Sequence, residues 1–186
     1  MNKAIESLIN EQFGAETWTK VRKKAGVEDG GFMGMDPYDD AVTYSLVGAA
    51  SEVLETPAEQ LLESFGEFWT LYTANEGYGG LLEMSGSTLE EFLQNLDEMH
   101  ARIALSMPEL QPPSFHLEHI DDERMALHYT SERAGLEPMV RGLIRGLGKR
   151  FETPIEITQT ESTTADGRTQ ATFEIRVLEA APGGQA

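Results

Sequence analysis

Apolar residues in the first half of the chain recur at steps of three and four, the spacing that places side chains on one face of a helix. This spacing predicts helices over 4–13, 15–25 and 42–55, with a Gly-rich loop over 26–34 between the second and the third. A further helix follows Pro57 and is rich in large side chains on more than one side. We therefore expect that helix to be buried from several directions.

A second apolar stripe at helical spacing runs over residues 89–107. We predict one long helix here, which begins at the capping-box pair Ser87 and Glu90 and ends before Pro108, because proline cannot continue a helix. His100 lies on this stripe, so its imidazole emerges from an otherwise apolar surface.

The second half of the chain changes to the alternating pattern that is typical of strands. Residues 115–120 and 125–133 alternate on either side of an Asp-Asp pair and predict a β-hairpin. A helix is expected over 136–151. Two more strands, over 155–159 and 172–178, are joined through an Asp-Gly turn.

The expected fold class is α+β, with a helical N-terminal part followed by an antiparallel sheet and helices. No stretch of the chain has the length and composition of a linker between domains. We therefore expect a single domain over residues 1–180 and a flexible tail over 181–186.

The composition of the chain excludes several classes of binding partner and of metal or disulfide site. Thirty-two acidic against fourteen basic residues give a formal net charge of −18, a field that repels nucleic acid and anionic membrane surfaces. No apolar run approaches the roughly 20 residues of a membrane span, and the first residues lack a signal-peptide pattern, so we expect a cytoplasmic protein. The chain has no cysteine, which excludes disulfides, zinc-thiolate sites, iron–sulfur clusters and thiolate-ligated haem.

A histidine on an apolar helix face has two interpretations. Most such residues belong to the core and satisfy a ring nitrogen with a local hydrogen bond. A five-coordinate haem iron also needs a neutral imidazole in an apolar wall, because the porphyrin faces require apolar contact. His100 alone does not decide between the two.

Tyr129, Ser131 and Arg133 form a second feature. Alternate side chains of an extended segment share a face, so these three hydrogen-bond donors are expected to point the same way. The set suits carboxylates that enter an apolar pocket, since an unpaired buried charge is costly and arginine pairs with a carboxylate bidentately. A strand edge with an ordinary surface salt bridge has the same pattern, and this alternative stays open.

In combination, these motifs resemble those of the H-NOX domain, the haem nitric oxide/oxygen binding (HNOB) module, in its stand-alone bacterial form similar to soluble guanylate cyclase. The resemblance is carried by His100 on the long helix, the Pro112-Pro113 step after it and the Y-x-S-x-R motif from Tyr129 to Arg133. It extends over nearly the whole chain. Further family-like stretches are residues 46–54, 65–69 and 146–151.

The resemblance implies an H-NOX fold, in which a helical distal lobe and a C-terminal lobe of sheet and helices enclose haem b (iron protoporphyrin IX). His100 would be the proximal ligand of the iron, and Tyr129, Ser131 and Arg133 would hold the haem propionates. Pro113 would pack against the porphyrin and help to distort it.

The resemblance also implies selectivity for NO. Oxygen-binding members carry a tyrosine three residues before a helix glycine, and Met139 holds that place ahead of Gly142. An O₂ ligand gains from a hydrogen-bond donor and an NO ligand needs none, so we expect binding of NO and CO and exclusion of O₂. Trp69 is similar to a distal aromatic residue of some relatives, and its indole N–H is the donor that would disturb this expectation.

The implied role is gas sensing and signalling rather than catalysis. NO bound opposite His100 would weaken the bond from iron to imidazole, and the released helix would move and signal to a separate protein. Stand-alone relatives signal to histidine kinases or to cyclic-nucleotide enzymes such as diguanylate cyclases and phosphodiesterases. We expect a partner of one of these kinds.

Two rival functions stay open. The first is a cofactor-free acidic helical domain for protein interaction, in which His100 is a core residue and Arg133 makes an ordinary salt bridge. The second is a haem enzyme that activates peroxide or oxygen, and the lack of an acid–base pair near Met139 counts against it.

Other candidate sites are weaker. His116 and His119 lie three apart on a predicted strand, so they point to opposite faces and cannot hold one ion together, and we interpret them as structural or surface residues. Asp36, Asp39 and Asp40 lack the spacing of a calcium loop, and we expect them to cap a helix N-terminus.

Overall fold

The computed structural model describes residues 1–27, 32, 38–73, 79–106 and 111–178. It confirms the α+β class. The predicted flexible tail, the helix end at Pro108 and the side chain of Asp36 lie outside the described residues. The helices are α1 Asn2–Phe13, α2 Ala15–Lys24, α3 Asp40–Leu54, α4 Ala58–Thr73, α5 Gly79–Met84, α6 Leu89–Gln94, α7 Leu96–Ser106 and α8 Glu137–Arg150, and the strands are β1 Ser114–His119, β2 Arg124–Ser131, β3 Ile155–Ala165 and β4 Arg168–Val177.

The N-terminal helices form as their periodicity predicts. α1 buries Ile5, Leu8 and Ile9 on one face, because residues three and four apart lie side by side on a helix. α3 is capped by Asp39, whose carboxylate accepts a hydrogen bond from the Ala41 backbone N–H at 2.8 Å. Asp39 therefore caps a helix, as expected, and satisfies one of the unpaired N–H groups at its start.

The prediction of one long helix over 89–107 is wrong in one respect, because the helix is broken in two at Asn95. The side-chain amide of Asn95 donates a hydrogen bond to the Ser85 carbonyl oxygen at 3.0 Å, which connects the break to the preceding turn. The capping residues are also shifted by one position. Thr88 is the N-cap and accepts from the Glu91 N–H at 3.2 Å, and a Glu91 carboxylate oxygen accepts from the backbone N–H of Ser87 at 2.9 Å.

The four strands form one antiparallel sheet in the order β1-β2-β4-β3. The predicted hairpin of β1 and β2 is confirmed. β3 and β4 are longer than predicted and meet at Asp166 and Gly167, both with positive φ, as the predicted Asp-Gly turn requires. The inward face of the sheet is apolar, and Phe173, Leu127 and Ile175 are fully buried there.

Two apolar clusters make up the interior. The first joins α1 to α4 and includes Phe65 and Met139, and the second joins α6, α7 and the sheet. α8 contributes to both clusters, since Met139 belongs to the first while Val140 and Ile144 belong to the second. Any group enclosed between the two clusters therefore has α8 as part of its wall. Ile144 is a core residue, with 1% of its surface exposed.

α4 and α8 pack with their backbones in direct contact. A Cβ added at Gly142 would lie 1.9 Å from the Glu63 carbonyl oxygen, and one added at Gly66 would lie 2.0 Å from the Met139 carbonyl oxygen. Both positions therefore require glycine. Salt bridges from Arg145 to Glu63 and from Lys149 to Glu67 flank this contact.

Across the described residues, no helix combines the length and the apolar character that crossing a membrane requires.

Candidate functional site

His100 lies on α7 and faces the sheet across an aromatic contact. The centroid of its ring is 5.8 Å from that of Phe115 on β1, and Phe115 in turn lies 5.5 Å from the ring of Tyr129 on β2. The alternation of the hairpin turns Phe115 and Tyr129 inward, where they are 8% and 2% exposed. The structure thus brings two predicted site residues, His100 and Tyr129, to either side of one phenylalanine.

The Nδ1 atom of His100 is buried and has no hydrogen-bond partner among the described residues. Burial lowers the pKa of His100, while the charge of Asp97 and a backbone contact with Pro113 act in the opposite direction. The imidazole is therefore favoured in its neutral form, which is the form that binds a metal. A core histidine would be expected to satisfy this nitrogen locally, because buried polar atoms are rarely left unpaired.

Asp97 lies one helical turn before His100 and anchors α7 to the hairpin. Its carboxylate accepts from the Phe115 backbone N–H at 2.6 Å and from the Ser114 hydroxyl at 3.0 Å. The start of β1 is thereby fixed against the same helix that carries the histidine.

The Y-x-S-x-R motif does not adopt the continuous extended form that we predicted. β2 ends at Ser131, and Arg133 lies beyond it in a bend. The Ser131 hydroxyl accepts a hydrogen bond from the Arg133 backbone N–H at 3.0 Å, which turns the chain at this point. Ser131 is 9% exposed, and burial is the largest effect on Tyr129, raising the pKa of its phenol.

Arg133 binds a carboxylate in the structure. Its Nε and one terminal nitrogen both lie 2.9 Å from oxygens of Asp40, the first residue of α3. Tyr44, one turn further along α3, donates its hydroxyl to the Ala134 carbonyl oxygen at 3.0 Å. The pair is partly exposed, and its geometry shows that the guanidinium is placed to meet a carboxylate side-on.

The other predicted site residues lie in different parts of the fold. Met139 is 7% exposed and Trp69 is half-buried, and both lie in the N-terminal apolar cluster. Trp69 packs against Phe65, with ring centroids 5.8 Å apart. Pro113 is half-buried and directly precedes β1. His100 and Tyr129 therefore lie with the C-terminal cluster, whereas Met139 and Trp69 lie on the N-terminal side.

These residues fit a haem group. The described residues contain no cluster of three or more His, Asp or Glu side chains that would hold a metal ion alone, so an ion at His100 would have that residue as its protein ligand. A single neutral imidazole in an apolar wall suits haem iron. Tyr129, Ser131 and Arg133 follow one another along the end of β2 and the bend after it, and they provide donors for acidic side groups.

The contacts that three residues make in this region are not predictable from their sequence patterns. Asp40 meets Arg133 from 93 positions away, and Asp97 meets Phe115 from 18 positions away. No local pattern reveals such pairs. Phe115 had a signal, because the alternation of the strand predicts that it points inward, but nothing in the sequence placed it against His100.

Comparison with known proteins agrees with this geometry. The model of the Haem-NO-binding family matches residues 1–159. Soluble guanylate cyclase gcy-32 of Caenorhabditis elegans is 33% identical over 174 residues, which cover 91% of this chain and 25% of that protein. Guanylate cyclase soluble subunit beta-2 of Rattus norvegicus is 41% identical over 93 residues, 50% of this chain and 14% of that protein. The chain thus spans a quarter or less of these two relatives.

Solved structures show the same fold. An oxygen-binding H-NOX domain related to soluble guanylate cyclases matches with a TM-score of 0.80 at 19% identity, over 98% of this chain and 100% of that chain. A structure from work on the molecular mechanism of H-NOX activation matches with a TM-score of 0.85 at 19% identity, over 94% of this chain and 93% of that chain. The chain belongs to the Haem-NO-binding family: it is an H-NOX domain, a haem-based gas sensor domain rather than a catalytic one, and its cofactor is haem b.

Proposed function

We propose that this domain senses NO in the cytoplasm, with ferrous haem held by His100, and that it binds NO and CO while excluding O₂. The observation that supports this most directly is the buried Nδ1 of His100, which has no partner among the described residues and lies in an apolar aromatic wall. The proposal makes His100 the iron ligand and Pro113 a residue that packs against the porphyrin.

Tyr129, Ser131 and Arg133 are proposed to hold the propionates. Two of the three are buried, so an acidic group among them would be largely shielded from water and would need these donors. Arg133 already pairs with one carboxylate through two nitrogens and keeps further N–H groups for another.

Selectivity for NO is proposed to follow from Met139. This side chain is buried on the N-terminal side of the interior and carries no hydrogen-bond donor. An O₂ ligand carries partial negative charge and loses the stabilisation that a donor would give, whereas an NO ligand is nearly neutral. Trp69 packs against Phe65 in the same cluster, and its indole is the distal donor whose effect the spectra below would reveal.

Signal transmission is proposed to start at α7. When bound, haem b would supply a ferrous iron that takes up a diatomic gas. His100 would attach α7 to the haem iron. The hydrogen bonds of Asp97 to Ser114 and Phe115 attach α7 to β1 as well. Release of the first attachment leaves α7 joined to β1, so a shift of this helix is shared with the edge of the sheet.

The partner is proposed to be a separate signalling protein, either a histidine kinase or a cyclic-nucleotide enzyme such as a diguanylate cyclase or phosphodiesterase. The curated relatives are guanylate cyclases in which the matched segment is a quarter or less of the protein. The net charge of −18 favours a basic protein surface over nucleic acid or an anionic membrane.

Absorption spectra of the reduced, haem-loaded protein test this function. We expect a Soret band that shifts on addition of NO and, differently, of CO, and that does not change in air. A stable shift in air would contradict the exclusion of O₂, and sustained turnover of peroxide would favour the enzyme interpretation. A protein that stays colourless when offered hemin would contradict haem binding altogether and favour the interaction domain.

Replacing Arg133 by alanine is expected to speed haem loss by about tenfold or more, because a hydrogen bond to a charged group contributes about 1.5–3 kcal/mol. The rate of haem transfer to an excess of a haem-scavenging globin measures this. Asp40→Asn is the matched control, since it disrupts the same surface pair and leaves the guanidinium in place. If both substitutions accelerated haem loss equally, Arg133 would have a structural role alone.

A further inference from the structure

The solvent-facing side of the sheet carries two histidines in direct register. His116 on β1 pairs with His128 on β2, and His128 pairs with Thr172 on β4. Glu118 lies two residues after His116 and so shares its face. The side chains of His116 and Glu118 are exposed and that of His128 is 41% exposed, so this group lies on the opposite side of the sheet from Phe115 and Tyr129.

The four side chains are in contact. The rings of His116 and His128 are stacked, with centroids 6.1 Å apart and an interplanar angle of 21°. The Nε2 atom of His128 lies 3.2 Å from a Glu118 carboxylate oxygen, and its Nδ1 lies 3.1 Å from the Thr172 hydroxyl.

We propose that His116, His128 and Glu118 form a binding site for a divalent transition-metal ion, with Zn²⁺ as the representative of the class that prefers imidazole and carboxylate ligands. Tetrahedral Zn²⁺ holds nitrogen and oxygen ligands at about 2.0–2.2 Å, which places neighbouring ligand atoms roughly 3.4 Å from each other. The distance of 3.2 Å between His128 Nε2 and the Glu118 oxygen matches this requirement.

Thr172 prepares His128 for this role. A histidine that binds a metal through Nε2 donates its other ring N–H to an oxygen, which fixes its tautomer and orientation. The Thr172 hydroxyl, 3.1 Å from Nδ1, can act as such an acceptor when Nδ1 carries the ring proton. The outer shell that a metal-binding histidine needs is therefore already present on β4.

His116 completes the site by turning. In the present side-chain positions the described residues contain no cluster of three or more potential ligands around one point, so two ligands are in place and the third must rotate. His116 is exposed at the edge strand of the sheet, where rotation about its side-chain bonds is inexpensive. The net charge of −18 raises the local concentration of cations around such a site.

The site would have a structural consequence, because it joins two strands. β1 is an edge strand and is paired only with β2 within the described sheet. A metal held by His116 and His128 would clamp this edge from the outside, while the inward neighbour Phe115 contacts His100. Binding to the folded state alone would also raise the melting temperature.

Titration of the haem-loaded chain with zinc chloride in a calorimeter tests the proposal. We expect one saturable site, with affinity at least about tenfold lower in His116→Gln and in His128→Gln, since loss of a ligand costs no less than loss of an outer-shell partner. His119→Gln is the matched control, because His119 is exposed on the same strand and instead lies beside Glu90, at 3.4 Å. We expect this variant to bind zinc as the wild type does.

Two outcomes overturn the proposal. One is the absence of saturable zinc binding by the wild type. The other is undiminished binding by His116→Gln or His128→Gln, which would place the ion elsewhere. Thermal unfolding with and without zinc gives a second readout, and only proteins with both histidines should gain stability. The measurement does not depend on which residue holds the haem, so its result is separable from that of the proposed function.

Discussion

Replacing Gly142 by alanine is expected to lower the melting temperature by roughly 6 °C or more. The new Cβ would lie 1.9 Å from the Glu63 carbonyl oxygen and 2.8 Å from the carbon of the same carbonyl, and both are backbone atoms that cannot turn aside. α4 and α8 must therefore separate, and overpacking of this kind costs about 3 kcal/mol, or about 2 °C of melting temperature per kcal/mol in a chain of this size. Thermal unfolding followed by circular dichroism measures the change.

Gly48→Ala is the matched control for this prediction. Gly48 is an exposed helical glycine of α3, and a Cβ added there meets no atom within 4 Å. Alanine at this position should be neutral or should stabilise the helix by about 0.5–1 kcal/mol. Equal melting temperatures for Gly142→Ala and Gly48→Ala would show that the contact between α4 and α8 is not close.

Replacing Met139 by tyrosine is expected to create O₂ binding in air. The substitution introduces a hydroxyl donor at a buried position that we propose to face the bound gas, and a hydrogen bond to a ligand with partial negative charge contributes about 1.5–3 kcal/mol. This corresponds to about 10–100-fold in O₂ affinity. The absorption spectrum of the reduced variant, followed as air is admitted, measures the change.

Met139→Phe separates the hydroxyl from the aromatic ring. Phenylalanine has nearly the same shape as tyrosine but donates no hydrogen bond. We expect the absorption spectrum of this reduced variant to stay the same when air is admitted. If phenylalanine and tyrosine conferred O₂ binding equally, the size of the side chain would control selectivity, and the role assigned to Met139 would be wrong.

The sequence predicted the elements best where a local pattern carries the information. Helical spacing and strand alternation located the helices and the hairpin, because burial of one face is sufficient to produce both patterns. The same spacing concealed the break at Asn95. The apolar stripe continues across it, and the hydrogen bond from Asn95 to Ser85 that is found at the break leaves no mark on periodicity.

The candidate site likewise combines features that local patterns indicate with contacts that they do not. His100 and Tyr129 were candidates from their own patterns, each with an alternative left open, and only the resemblance to a family predicted that they hold one cofactor. Their actual contact with Phe115 and the pairing of Arg133 with Asp40 depend on how distant segments meet. The bend that moves Arg133 out of the strand depends on the Ser131 hydroxyl, which alternation alone does not reveal.

The whole of the proposed function depends on His100 as the iron ligand, and the spectrum of His100→Gly tests this role. The substitution removes the imidazole and leaves a space that free imidazole can enter. We predict that His100→Gly loses the wild-type Soret band, that added imidazole restores it, and that His119→Gly resembles the wild type throughout. A His100→Gly protein whose spectrum matches the wild type without imidazole, and does not respond to it, would contradict the assignment.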